Sequence, residues 1–149
     1  MAYHLRRQIR DRIAATTVSG LSTTSTRVFQ SPIFPLQTET IPGLIVSAME
    51  ADSSAGTLGP AREIQRIMNL SIEGYVALSA TVLDTLDLIA KEVEEAMAGD
   101  RTINGLATES TLNSTEIRME PELHIPVGII RLNYSVEYRN LETAADAAA

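Results

Sequence analysis

Apolar residues recur at four-residue steps near the start of the chain, at Leu5, Ile9 and Ile13, with arginines between them. This spacing predicts an amphipathic helix over residues 3–19, stopped by Gly20 as a left-handed cap. Residues 22–26 are all Ser or Thr and read as a loop. Arg27, Val28 and Phe29 predict a short strand, and Pro32 and Pro35 break regular structure after it. Residues 44–49 read as a buried strand entered through Pro42 and Gly43. Residues 50–62 crowd Ser, Gly and Pro together with few apolar positions, which predicts a mobile loop joining two strands.

The second half is more regular. Over residues 64–77, Met68, Leu70, Ile72 and Val76 alternate with Asn69, Ser71, Glu73 and Tyr75, the signature of a long strand with one apolar face. Gly74 within it predicts a bulge or added twist. Residues 81–98 predict a second helix with Val82, Leu86, Ile89, Val93 and Met97 as its buried stripe. Thr81 and Asp84 have the spacing of a capping arrangement, and Gly99 follows as a stop. Residues 112–119 predict a strand. Residues 127–139 predict the cleanest one, Ile130, Leu132, Tyr134, Val136 and Tyr138 alternating with Arg131, Asn133, Ser135, Glu137 and Arg139. Residues 141–149 are acidic and alanine-rich, which predicts a disordered tail. Long half-polar strands favour an antiparallel sheet. The expected fold class is therefore α+β: a two-layer sandwich over residues 1–140, with two amphipathic helices packed on one face of a mostly antiparallel sheet.

Composition narrows the function classes. The 149 residues contain no cysteine and no tryptophan, which excludes disulfides, a thiol nucleophile, a thiolate zinc site and an iron–sulfur cluster. The net charge of −7 is unevenly spread. Residues 1–30 carry five arginines (Arg6, Arg7, Arg10, Arg12, Arg27) against Asp11 alone, and the remainder carries seven basic residues against eighteen acids. A basic arm on an acidic body is a poor duplex-DNA grip and a good basis for pairing with acidic protein surfaces, where the planar guanidinium excels. Apolar runs such as Leu44-Ile45-Val46 are far shorter than the roughly 20 residues a membrane helix needs. The chain reads as a protein with no membrane association and no targeting segment, made in a cytoplasm.

Signatures of catalysis are sparse. Phosphate-loop, dinucleotide-binding and nucleophile-elbow patterns are absent, and Gly56-Thr57-Leu58-Gly59 has no following lysine. Asp84 and Asp87 offer either a carboxylate pair for Mg²⁺ or acid–base work, or simply acids favoured by a helix N-terminus. With no companion histidine or nucleophile, the second reading is preferred. His124, between Leu123 and Ile125, reads as a half-buried structural imidazole rather than a general base, and His4 as an exposed helix residue. The expectation is a non-enzymatic domain with no catalytic residue, cofactor or metal.

Four stretches resemble one family. They are Leu5-Arg6-Arg7-Gln8-Ile9-Arg10-Asp11; Val28-Phe29, Phe34-Pro35-Leu36 and Ile41-Pro42-Gly43-Leu44-Ile45-Val46; Glu73-Gly74-Tyr75 followed by residues 83–94; and Ser114-Thr115-Glu116, Pro126-Val127-Gly128 and residues 131–139. In order and spacing the chain resembles the tail terminator proteins of long-tailed, non-contractile, lambda-like bacteriophages, to about residue 143. The resemblance implies an α/β sandwich and a homohexameric ring at the head-proximal end of the phage tail. Such a ring, assembled in the host cytoplasm and carried in the virion, caps the major tail tube protein and ends its polymerisation. It also offers a surface to the head–neck connector, while DNA passes through the lumen without specific binding. A head-completion or head–tail connector ring protein is the alternative. Within this reading Arg6, Arg7 and Arg10 are candidate interface residues, and so are Asp52 and Arg62 on the predicted loop.

Overall fold

In the computed structural model, which describes residues 3–30, 39–56 and 62–148, the four-residue spacing at the N-terminus becomes the helix α1 (Leu5–Arg12). Leu5, Ile9 and Ile13 are fully buried, as the periodicity requires. The helix ends earlier than expected: residues Ile13–Thr17 widen into a π turn, in which Val18 N–H donates to the Ile13 carbonyl at 3.0 Å. His4 is the N-cap and not an exposed helix residue. Its ring is half-buried, and its Nδ1 accepts from Arg6 N–H at 3.0 Å. Gly20 takes the expected left-handed conformation, φ +81°. Pro32, Pro35 and the stretch Phe34-Pro35-Leu36 lie outside the described residues.

The strands are β1 (Val28–Phe29), β2 (Gly43–Ala55), β3 (Glu63–Ala77), β4 (Glu109–Glu120), β5 (Val127–Leu141) and β6 (Ala144–Ala148), with α2 (Val82–Ala98) between β3 and β4. They form one mixed sheet in the order β1-β2-β3-β5-β4, with β6 added to β5. Among the described residues only the β1–β2 pair is parallel. The fold class is α+β, with helices and strands sharing one core: Leu5 and Ile9 of α1, the α2 stripe, and the apolar alternate positions of β2, β3 and β5 belong to a single buried cluster. No helix among the described residues is long and apolar enough to cross a membrane.

Two segments expected to lack structure are strands. Residues 50–55 continue β2, and Ala55 pairs with Ile64 across a hairpin whose register shifts once, between Glu50 and Asp52. The segment is poor in apolar residues because Asp52, Ser53, Ser54 and Ala55 are exposed. Backbone pairing holds it. β3 is paired along its whole length to β5, from Ala77–Val127 to Glu63–Leu141, and so presents a ready ladder to β2. Residues 57–61 of the expected loop lie outside the described residues. The C-terminal segment is likewise strand β6, where disorder was expected. β4 covers β5 only up to Glu137, and the free end of β5 pairs with the tail through Asn140–Ala148 and Leu141–Ala144. Gln8 Nε2 donates to the Asp146 carbonyl at 2.6 Å and ties the tail to α1.

The α2 stripe is buried as predicted. Its expected cap does not form. The Thr81 hydroxyl lies 3.4 Å from Ser79 Oγ, and the Thr81 carbonyl accepts from both the amide and the hydroxyl of Thr85. Gly74 makes no bulge either, since the β3–β5 register runs unbroken through it. The glycine is there for proximity. A Cβ at Gly74 would lie 2.9 Å from Ile89 Cγ2, and one at Gly128 would lie 2.5 Å from Val82 Cγ2. These two glycines, on adjacent strands, let α2 settle onto the sheet. Gly74→Ala and Gly128→Ala should each destabilise the fold by about 1–3 kcal/mol through overpacking. Gly128→Ala should be the worse, as read from the midpoint of urea unfolding.

Candidate functional site

The basic arm divides into structural and exterior arginines. Arg12 Nε lies 3.3 Å from Asp100 Oδ2, which also accepts from Thr17 Oγ1 at 2.8 Å. Arg27 reaches the carbonyls of Pro42 (2.7 Å) and Thr23 (3.0 Å) and fastens the loop to the sheet. The remaining three line α1. Arg7 stacks over the Tyr3 ring at 3.6 Å and lies 3.5 Å from Asp11. Arg10 Nε donates to Gln30 Oε1 at 2.7 Å. Arg6 and Arg10 are half-buried and Arg7 is exposed. Their stems pack and their heads reach the surface, as long cationic side chains do.

The acids of α2 divide in the same way. Asp84, Asp87, Glu94 and Glu95 are exposed, whereas Glu92 accepts from Thr23 N–H at 3.3 Å. Among the described residues no group of three or more His, Asp or Glu side chains could hold a metal ion. His124 is exposed in the turn between β4 and β5, in place of the half-buried position expected of it. Leu123, exposed beside it, offers no apolar cover.

Asp52 stands on β2 and not on a loop, whereas Arg62 lies just before β3 begins. Asp52 Oδ1 accepts from Ser53 N–H at 2.8 Å. Arg62 forms a bidentate pair with Glu142, both contacts at 3.0 Å, and its carbonyl accepts from Glu142 N–H at 2.8 Å. Arg62 therefore anchors the C-terminal strand to the hairpin.

Sequence reasoning missed the polar face of the sheet as a unit. Ser47, Ser71, Asn133 and Ser114 are consecutive cross-strand neighbours on β2, β3, β5 and β4. Beside them run Glu73, Arg131 and Glu116. The serine–asparagine row, with Arg131 and Glu116, lines a groove of about 400 Å³. Arg131 Nε donates to Ser71 Oγ at 2.9 Å, and Asn133 Nδ2 to Ser114 Oγ at 2.9 Å. A serine nucleophile needs a neighbouring base to take its proton. Ser71 has an arginine there, which cannot act as one. The groove is thus a hydrogen-bonding surface. The alternation of polar residues along each strand was legible, but the lateral rows depend on inter-strand register, which no local signal carries.

Three groups are shifted by their surroundings. Burial raises the Tyr75 phenol, and the Glu73 carboxylate adds to the shift. Burial pushes the Tyr134 phenol up to about 12, with the Glu94 carboxylate adding to it, so the phenol stays neutral beneath α2. Burial alone would raise the Asp100 carboxyl, but hydrogen bonds from Thr17, Asn104 N–H and Arg12 outweigh it and hold it below its ordinary 3.8.

No known protein family and no curated protein sequence matches the chain.

The depressed Asp100 carboxyl sets the sign of a pH effect. Its stabilising contribution is fully present above the ordinary value of 3.8 and is lost as pH falls through the lower folded value. Asp100→Asn should lower the urea midpoint at about pH 7, and the gap to the parent should narrow toward about pH 2.5.

Proposed function

We propose that this chain is a structural subunit of a long, non-contractile phage tail: the terminator, which assembles as a homohexameric ring, caps the tube and receives the head–neck connector. The observation that carries this reading is the segregation of charge between two helices. Arg6, Arg7 and Arg10 lie along α1, and Asp84, Asp87, Glu94 and Glu95 lie along the exposed face of α2. A ring closes by head-to-tail contacts, in which one patch meets a different patch on the next subunit. Opposite charge on two helices of the same chain supplies such a pair and steers its encounter.

The four stretches that resemble the tail terminators support the same assignment. Within it, α1 and α2 form one layer of the sandwich and the sheet forms the other. The polar face of the sheet, with Ser, Asn and paired charges, suits a protein that works by contact. The acidic body suits a lumen through which DNA slides without being held.

Deleting the gene should give tails of uncontrolled length, and negative-stain images of the purified protein on tails should show a six-fold ring at the head-proximal end. Normal tail length in the deletion strain would refute the assignment. DNA-filled heads without tails would point to the connector instead. Within the ring, Arg6→Glu combined with Arg10→Glu should weaken assembly most at low salt. The deficit should shrink near about 1 M salt, where the screening length falls to about 3 Å. A deficit independent of salt, measured by sedimentation, would remove α1 from the ionic contact.

A further inference from the structure

β4 is the outer strand of the sheet. β5 pairs with one of its edges, and among the described residues nothing pairs with the other. An open edge presents a row of unpaired N–H and C=O groups, and proteins usually blunt it with lysine, proline or a bulge. β4 contains neither Lys nor Pro. Its one irregularity lies between Leu112 and Ser114, which leaves residues 114–120 regular.

The two faces of that stretch differ. Ser114, Glu116 and Arg118 share the polar face with Asn133 and Arg131. Thr115, Ile117 and Met119 share the helix face with Leu132, Ile130 and Gly128. Ile130 and Leu132 are buried, yet Ile117 is 44% and Met119 38% exposed. The cover of α2 stops short of β4 here. On the polar face Arg118 reaches Glu120 at 3.2 Å and Glu73 at 3.6 Å, while Glu116 has no ion pair among the described residues.

We propose that the free edge of β4 pairs with β4 of a second copy of this chain, about a two-fold axis through Ile117. A two-fold axis normal to the sheet makes the pairing antiparallel and keeps the helices of both copies on one side. In this register Ile117 meets Ile117 of the second copy, and Thr115 meets Met119. Glu116 meets Arg118, twice by symmetry. Cross-strand neighbours of opposite charge and of apolar or β-branched type stabilise a sheet pair. The sequence selects this axis. Moving it by one residue sets Glu116 against Glu116, or Arg118 against Arg118. The contact closes with two copies and uses neither α1 nor the exposed face of α2. It is separate from the head-to-tail contacts of the ring, and its test does not depend on tail length.

Sedimentation of the full chain over a range of concentrations measures the dimer. Glu116→Arg alone and Arg118→Glu alone place like charges opposite each other and should each weaken it at least about tenfold. The double exchange E116R/R118E restores every pair and should recover most of the parent affinity. Because the chain has no cysteine, Ile117→Cys places a single thiol on the axis. Opposed residues about 4.5–5.5 Å apart are within disulfide reach, so mild oxidation should yield a covalent dimer. Leu88→Cys, exposed on α2 and away from this edge, should yield no covalent dimer under the same conditions. A double exchange as impaired as either single variant would overturn the proposal. So would an Ile117→Cys chain that couples no faster than Leu88→Cys, or growth beyond dimers through this edge.

Discussion

Val82 and Ile89 of α2 come so close to β5 and β3 that one added carbon at Gly128 or Gly74 would collide with them. The buried stripe of α2 reaches the core only because those two strand positions carry no side chain. A helix held this low covers the strands directly beneath it. Leu86, Ile89, Val93 and Met97 are shielded over β3 and β5, while Ile117 and Met119 on β4 are left open. The same contact therefore makes the core and defines its margin.

Around that core, charged residues do two kinds of work. Arg12, Thr17 and Asp100 join the π turn to the end of α2, Arg27 holds the Ser/Thr loop to the sheet, and Arg62 with Glu142 locks the C-terminal strand against the hairpin. Their partners are fixed within the chain. Of the outward-facing charge on the two helices, that along α1 is mainly cationic and that along α2 mainly anionic. Exposed charges of this kind contribute little to stability. They matter for orientation and encounter, which is where the proposed role in ring assembly places them.

The polar face of the sheet fits that picture. Ser71 is hydrogen-bonded to a guanidinium, and Asn133 to Ser114. These side chains pair with one another across neighbouring strands and leave a surface of hydrogen-bonding groups.

The pattern of residues along the chain was enough to determine both helical stripes, the core faces of β3 and β5, and the α+β class. Each depends on a period of two or about 3.6 residues, set by the backbone itself. It was not enough for residues 50–55 or the C-terminal strand, whose sequences bear no apolar period. Only a neighbouring strand with free backbone groups, present once β3 and β5 had paired, made strands of them. Among the interface candidates, the chain alone marked Arg6, Arg7 and Arg10 as a cluster on one helix. Tertiary structure decided that Arg12, Arg27 and Arg62 are tethers, because their partners Asp100, Pro42 and Glu142 are distant in sequence. Hydrophobic burial is local enough in its periodicity to be read in one dimension, whereas hydrogen-bond and ion-pair partners are chosen by which strands end up adjacent.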